Sequence, residues 1–276
     1  MTDLNRIAPY TDERGNSIEC SDEYGGKINV SFHGTNGKLI IAKGARLDSL
    51  RIAFYGDNAV CKIGSKRAGM GVKLNIRVGQ DCLVAFGDNV SMTGQCMVTA
   101  AEGANVIVGS DVMIASGNQL RADDAHPIFD VKTGKRVNPV EDIIIGDHVW
   151  LAAQAVALGG AVVGEGSVIG FRSIVTSRIP NNCVAVGSPA KVVRRDIAWE
   201  RPHLSKVEPH FKPDSSTVKK SDYWNLTDDD SSKVEVTHQD FGTDPSERLT
   251  IVQHSRLRNR AGTVLRAVKR RIANKF

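Results

Sequence analysis

Ile143-Ile144-Ile145-Gly146 and, farther along, Ala161-Val162-Val163-Gly164-Glu165-Gly166-Ser167-Val168-Ile169-Gly170 decide the fold of this chain. The apolar-Gly step recurs at Ile145-Gly146, Val163-Gly164 and Ile169-Gly170, eighteen and then six residues apart, and Val186-Gly187-Ser188-Pro189-Ala190 follows. A period of six that closes on eighteen matches neither a helix nor a two-residue strand alternation. It fits one inward aliphatic per short strand and three strands per coil of a parallel β-helix, with Gly at or near the tight corners.

The same beat runs upstream through Ile63-Gly64, Val78-Gly79, Phe86-Gly87 and Val108-Gly109. Asp or Asn follows in Gly79-Gln80-Asp81, Gly87-Asp88-Asn89 and Gly109-Ser110-Asp111, as suits corners where the left-handed conformation is needed. Val84, Val90, Val106, Val112 and Ile114 supply the inward stack. From Ile28 to Val193 this predicts about nine coils of about eighteen residues, an all-β solenoid that buries its core by stacking. A β-sandwich with Gly-rich turns would have no reason to keep a period of six.

The chain has 276 residues, and one solenoid would occupy most of it. The start, Met1-Thr2-Asp3-Leu4-Asn5-Arg6, carries no apolar leader, and no run of eighteen apolar residues follows, which predicts a cytoplasmic location. The five cysteines, Cys20, Cys61, Cys82, Cys96 and Cys183, are odd in number and scattered, and they read as small buried hydrophobes. No disulfide framework and no metal site are expected.

The beat stops after Ile114-Ala115-Ser116 and resumes at Ile143. A long insertion without core-facing aliphatics must leave the prism, and loops on rigid scaffolds commonly carry function. This one, placed at 118–141, contains Asp124-Ala125-His126-Pro127-Ile128-Phe129. Of seven histidines only His126 has such a setting; His148 sits at a corner in Gly146-Asp147-His148-Val149.

These stretches together resemble the hexapeptide-repeat acyltransferases. The resemblance rests on Asp124 to Phe129, Ile145 to Ala152, Gly159 to Gly170, Ser173 to Asn182 and Gly187-Ser188-Pro189-Ala190-Lys191-Val192-Val193-Arg194. The nearest likeness is to O-acetyltransferases of capsules and other cell-surface sugars, polysialic acid included, and His126 and Trp150 stand twenty-four residues apart, as in that group. The resemblance does not extend past about residue 225. It implies a left-handed β-helix, against the usual right-handed rule for parallel crossovers. It also implies an acetyl-CoA donor and a homotrimer with active sites between subunits.

Chemistry assigns roles within that frame. A sugar hydroxyl must lose its proton as it attacks a thioester, and an imidazole, with an ordinary pKa near about 6.5, can take it. His126 is the candidate general base, and Asp124 a candidate to hold its tautomer. No Ser or Cys stands in a nucleophile elbow, which favours direct transfer over an acyl-enzyme. Trp150 is expected to project outward beside the donor's acetyl-pantetheine end or the acceptor. Alignment with the sugar acetyltransferases implies donor contacts at Trp150, Ala153, Phe171, Thr176, Ser177, Lys191 and Arg194. Phe171 replaces a common small residue there and Ser177 a common Lys. Arg172, Arg178 and Arg195 add to the basic mouth that would meet the phosphates.

The chain divides into a lead-in (1–27), the acyltransferase solenoid (28–195), a packing segment (196–226), a polar linker (227–245) and a C-terminal extension (246–276). In the last, Leu257, Ala261, Val264, Leu265, Val268, Ile272 and Phe276 fall on one helical face, opposite a basic one. From Glu247 onward nine Lys/Arg oppose one Glu, a local +8 in a chain of net charge +5, so the basic balance belongs to this tail. An amphipathic helix of this kind lies on an anionic membrane, self-associates or packs on its own protein. Without interleaved aromatics it does not read as a nucleic-acid binder.

The sequence thus predicts an acetyl-CoA-dependent O-acetyltransferase of a sugar hydroxyl in a cell-surface glycan, such as a sialic acid-containing capsular polysaccharide. It would sit in the cytoplasm or at the inner face of the membrane. The alternatives are an acetyltransferase of a small acceptor (an amino acid, an antibiotic or a nucleotide-sugar amine) and a non-catalytic β-helix scaffold.

Overall fold

The computed structural model describes residues 1–229, 233–235 and 250–252. Three parallel sheets wind into an all-β solenoid of the left-handed type, about seven turns long, with no α-helix among the described residues. The first face stacks Ile28–Phe32, Leu47–Phe54, Val72–Val78, Cys96–Ala100, Gln119–Arg121, Val156–Leu158 and Ile174–Val175. The second begins at Ser17–Cys20, within the segment read as a lead-in, and runs through Asn105–Val108 and Ile143–Ile145 to Arg178–Ile179. The third starts at Ser91–Met92 and continues through Met113–Ile114, Trp150–Leu151, Val168–Ile169 and Val184–Gly187. There Ala190–Arg194 folds back antiparallel and closes the face.

The coils are fewer and longer than the period of six predicts. Ile28 lies opposite Leu50, Leu50 opposite Leu74 and Leu74 opposite Cys96, steps of 22 to 24 residues. Only near the end, at Trp150 with Val168 and Val156 with Ile174, is the step eighteen. First-face strands of eight and seven residues, Leu47–Phe54 and Val72–Val78, lengthen the upstream coils, so the glycine beat drifts there. At about 4.8 Å per turn the prism is roughly 34 Å long.

The interior is a set of ladders. Val30, Ile52, Ile76, Val98, Leu120, Ala157 and Val175 stack through the first face, and all are buried. Each aliphatic so buried contributes about 1.5–3 kcal/mol, and truncating Ile76 to Ala would cost about 2–5 kcal/mol. Val84, Val90, Val106, Val112 and Ile114 are buried as the sequence requires, and Cys61, Cys82, Cys96 and Cys183 are interior as well. At the N-terminal end Thr2–Leu4 pairs antiparallel with Ile28–Phe32, and Tyr10 stacks on Phe32, covering the open end of the core.

Gly146 and Gly164 of the apolar-Gly step answer to crowding rather than to backbone sign, whereas Gly187 adopts a φ of 101°. A Cβ on Gly164 would stand 2.4 Å from the Asn181 amide nitrogen of the next coil, and one on Gly146 would stand 2.8 Å from that of Glu165. The left-handed corner positions are taken by Asn89, Asp111, His148 and Asn182, at φ of 59°, 58°, 51° and 50°. Coils thus stack closely at glycine and turn at the polar residue that follows.

Of the expected C-terminal helix, residues 246–249 and 253–276 lie outside the described residues. Between them Thr250–Val252 is a strand, antiparallel to Lys233–Glu235, so the helix does not run unbroken from residue 246.

Candidate active site

The insertion leaves the prism at the corner between the first and second faces. Met97 pairs with Gln119 after 22 residues, but Gln119 pairs with Val156 after 37. Gln119–Arg121 is still a first-face strand, so the loop spans 122–142 rather than 118–141. It stays at that corner, because Arg136 Nη1 donates to Glu102 Oε2 at 2.6 Å and Glu102 lies in the turn before Asn105. Phe129 bridges Arg136 across the loop, and Asp130 Oδ1 accepts from the Lys132 and Thr133 amides and the Thr133 hydroxyl. The Thr133 amide and hydroxyl, with the Lys132 amide, hold the Asp130 carboxyl below its ordinary value. The hairpin exposes Ile128, Phe129, Val131 and Val137, with Val131 97% accessible.

His126 is exposed at the base of this hairpin. A three-residue turn presents it: the His126 amide donates to Asp124 O at 2.7 Å across Ala125, whose φ is 62°. Asp124 does not hold the imidazole. Its carboxylate accepts from Asn138 Nδ2 at 2.9 Å, and the His126 ring has no hydrogen-bond partner among the described residues. Asn138, which the sequence reading passed over, joins the two arms of the loop. It also donates to His126 O at 2.9 Å and accepts from the Ile128 amide at 2.7 Å. The neighbouring Asp123 is buried, accepting from the Ala125 amide at 3.0 Å, with its Oδ2 unpaired.

The other candidates divide between two places. Thr176 and Ser177 are exposed at the first/second corner, on the same edge of the prism as His126. Trp150 opens the third-face strand between Met113 and Val168 and points outward, since Val149 and Leu151 point in. Ala153 and Phe171 follow at the third/first corner, where the Arg172 amide donates to Ala153 O. Phe171 is 61% accessible, and the Arg172 guanidinium lies 5.1 Å from its ring centroid. Lys191 and Arg194 are exposed on the terminal hairpin of the third face. One chain therefore keeps His126 and Trp150 on opposite sides of the prism: the loop stands on the edge facing away from the third face. A side of about six residues spans roughly 20 Å.

The corner between the second and third faces holds a network the sequence did not announce. His148 is buried, with Nδ1 2.5 Å from Asp111 Oδ2 and Nε2 3.0 Å from Trp199 O. Both ring nitrogens thus lie at hydrogen-bond distance from an oxygen of a neighbouring element. Its faces are covered by Trp199 at 4.1 Å and Tyr223 at 4.5 Å between centroids. Burial pushes the Asp111 carboxyl up, but the His148 hydrogen bond and the Arg201 charge outweigh it and hold it below its ordinary value. The only sign of this cluster in the sequence was a histidine at a corner where Asn, Asp or Gly usually stands.

Among the described residues no group of three His, Cys, Asp or Glu side chains is placed to hold a metal ion, and no helix is long and apolar enough to cross a membrane.

No family model matches the sequence. Individual relatives do. The polysialic acid O-acetyltransferase of Neisseria meningitidis is 32% identical over 169 residues, 61% of this chain and 77% of that protein. The polysialic acid O-acetyltransferase of Escherichia coli O1:K1 is 41% identical over 97 residues, 35% of this chain, and the match spans only 32% of that protein's length. The crystal structure of the polySia-specific acetyltransferase NeuO superposes with a TM-score of 0.55 at 31% identity, over 72% of this chain and 96% of that one. With the coil architecture, the loop histidine and a relative matched over more than three quarters of its length, the chain belongs to the hexapeptide-repeat O-acetyltransferases, close to those named for polysialic acid.

Proposed function

We propose that this protein transfers an acetyl group from acetyl-CoA to a hydroxyl of a sugar in a cell-surface glycan, a sialic acid-containing capsular polysaccharide being the leading acceptor. Support for the acceptor comes from the names of the two bacterial relatives. The observation that carries the mechanism is the division of the site between two sides of the prism. His126, Thr176 and Ser177 stand on one edge; Trp150, Ala153, Phe171, Lys191 and Arg194 lie on the third face and its border with the first. A head-to-tail ring of three copies would bring the loop edge of one chain against the third face of the next, and it closes by rotation. The exposed Ile128, Phe129, Val131 and Val137 give the hairpin an apolar surface for that contact.

In this arrangement the acceptor hydroxyl gives its proton to the His126 imidazole as its oxygen attacks the thioester carbonyl. The C–S bond then breaks, and the imidazolium returns the proton to the leaving thiolate. A backbone N–H would steady the oxyanion. The exposed Lys191 and Arg194 suit the donor's phosphates, Arg by paired N–H bonds and Lys as a point charge. Residence at the inner face of the membrane through the basic tail belongs to the same proposal.

The test is complementation. His126→Ala and Trp150→Ala chains, each inactive alone, should regain part of the activity when denatured together and refolded, since mixed trimers contain some intact sites. Thiol release from acetyl-CoA would be followed with polysialic acid, a neutral glycan and free serine as acceptors. Mixtures that stay inactive would refute the shared site, and serine as the preferred acceptor would refute the glycan assignment.

A further inference from the structure

The chain that leaves the solenoid after Arg194 turns back along it. The Thr227 amide donates to Asp196 Oδ1 at 2.7 Å and the Asp196 amide to Thr227 Oγ1 at 2.9 Å, pinning both ends of an out-and-back strap. On the outward leg Arg201 bridges two adjacent coils. Nε donates to Asp111 Oδ1 at 2.6 Å, Nη1 to Ser91 Oγ at 2.8 Å, and Nη2 to Asp111 O at 2.6 Å and Asn89 O at 3.2 Å. On the return leg Tyr223 covers the second face of His148, and Tyr223 O accepts from Asn182 Nδ2 at 2.6 Å.

Trp199 is the strap's anchor, held by two hydrogen bonds and a ring stack on His148. It is 8% accessible, its Nε1 donates to His148 O at 3.0 Å, and its own carbonyl accepts from His148 Nε2 at 3.0 Å. The indole is stacked on the His148 ring, and Trp150 lies 5.9 Å away between centroids, inclined by 48°. That separation is within the range of a tilted aromatic pair. Trp150 lies between Met113 and Val168 along the face, so Trp199 is the aromatic wall that limits its swing sideways.

We propose that Trp199 is a positioning residue of the acetyltransferase site. The strap, clamped by Asp111, His148 and Arg201, holds Trp199 against Trp150 and so sets the orientation in which Trp150 meets the donor. The proposal rests on the reading above in which Trp150 lines the donor site. A rigid wall of this kind matters because a displacement of about 1 Å in a contacting group can cost about 100-fold in rate.

Full-length Trp150→Leu, Trp199→Leu, Trp199→Phe and Tyr223→Leu would be compared by melting temperature and by kinetics, with acetyl-CoA varied and polysialic acid saturating. Trp199→Leu should raise the KM for acetyl-CoA about ten-fold with a smaller change in kcat. Trp199→Phe keeps the stack on His148 but withdraws from Trp150; it should fold and raise KM about three-fold. Tyr223→Leu strips the other face of His148, and it should lower the melting temperature while leaving KM within about two-fold. Wild-type KM in both folded Trp199 variants, or in Trp199→Phe if the Leu variant does not fold, would overturn the proposal, as would an equal KM rise in Tyr223→Leu. Wild-type kinetics in Trp150→Leu is a separate result: it would remove Trp150 from the donor site and take the positioning role with it.

Discussion

Asn138 donates its side-chain amide to the Asp124 carboxylate at 2.9 Å, joining the two arms of the loop that presents His126. The carboxylate expected to orient the imidazole instead fastens the backbone beneath it. The position of His126 is therefore set by a clamp on the loop rather than by a partner on the ring.

Asn138→Ala breaks four hydrogen bonds in an exposed loop, to Asp124, His126, Ile128 and Arg136. Each contributes about 0.5–1.5 kcal/mol to holding the loop. The expected outcome is a fall in kcat of roughly 10-fold to 100-fold with an almost unchanged melting temperature, because the solenoid core is untouched. Stopped-turnover assays beside thermal melts would show it, and equal losses in stability and activity would contradict it.

His126→Ala should lower turnover by about 10²–10⁴ with the fold and the acetyl-CoA affinity retained. Asp124→Ala should behave like Asn138→Ala rather than like His126→Ala, since Asp124 acts on the loop. Near-complete inactivation by Asp124→Ala, with a shifted pH–rate profile, would restore it to the imidazole.

Lys191→Ala and Arg194→Ala should raise the acetyl-CoA requirement more than they slow the saturated reaction, because phosphate contacts lie far from the reacting carbonyl. A dephospho-CoA thioester would blunt the difference for whichever side chain meets the 3′-phosphate. Identical losses with both donors would move that residue elsewhere on the cofactor or off it.

Asp111 gives a pH prediction with a definite sign. Its carboxyl is held below the ordinary 3.8 in the folded state, so it contributes stability above that value, and the contribution is lost as pH falls through the folded pKa. Wild type should therefore lose stability steeply below about pH 4, and Asp111→Asn should be less stable near neutrality with a flatter acid limb. Parallel melting curves for the two proteins from acid to neutral pH would count against the network.

Removing residues 246–276 takes away none of the proposed catalytic groups, so acetylation of a soluble acceptor should survive. The local +8 of that segment predicts binding to anionic vesicles, with about 1 kcal/mol per basic residue near the surface and strong weakening by salt. Co-sedimentation of intact and truncated protein at low and high salt would decide it. Absence of binding at both would leave self-association or packing on the prism.

The sequence alone determined the parallel β-helix, because an inward aliphatic at fixed spacing has a local physical cause: one side chain per short strand must enter the core. It also located the loop, since a stretch without such aliphatics cannot stay in the wall, and it picked out His126 by its setting there. It misjudged the number of coils, because Leu47–Phe54 and Val72–Val78 bury their interiors equally well at a length the period of six does not encode. Only the tertiary structure decided what the corner residues touch. Asp111, His148 and Trp199 meet through 37- and 51-residue separations set by coil stacking and the returning strap, which no local pattern records. Likewise Trp150 lies across the prism from His126, because three corners, not twenty-four residues of chain, fix which side each one faces.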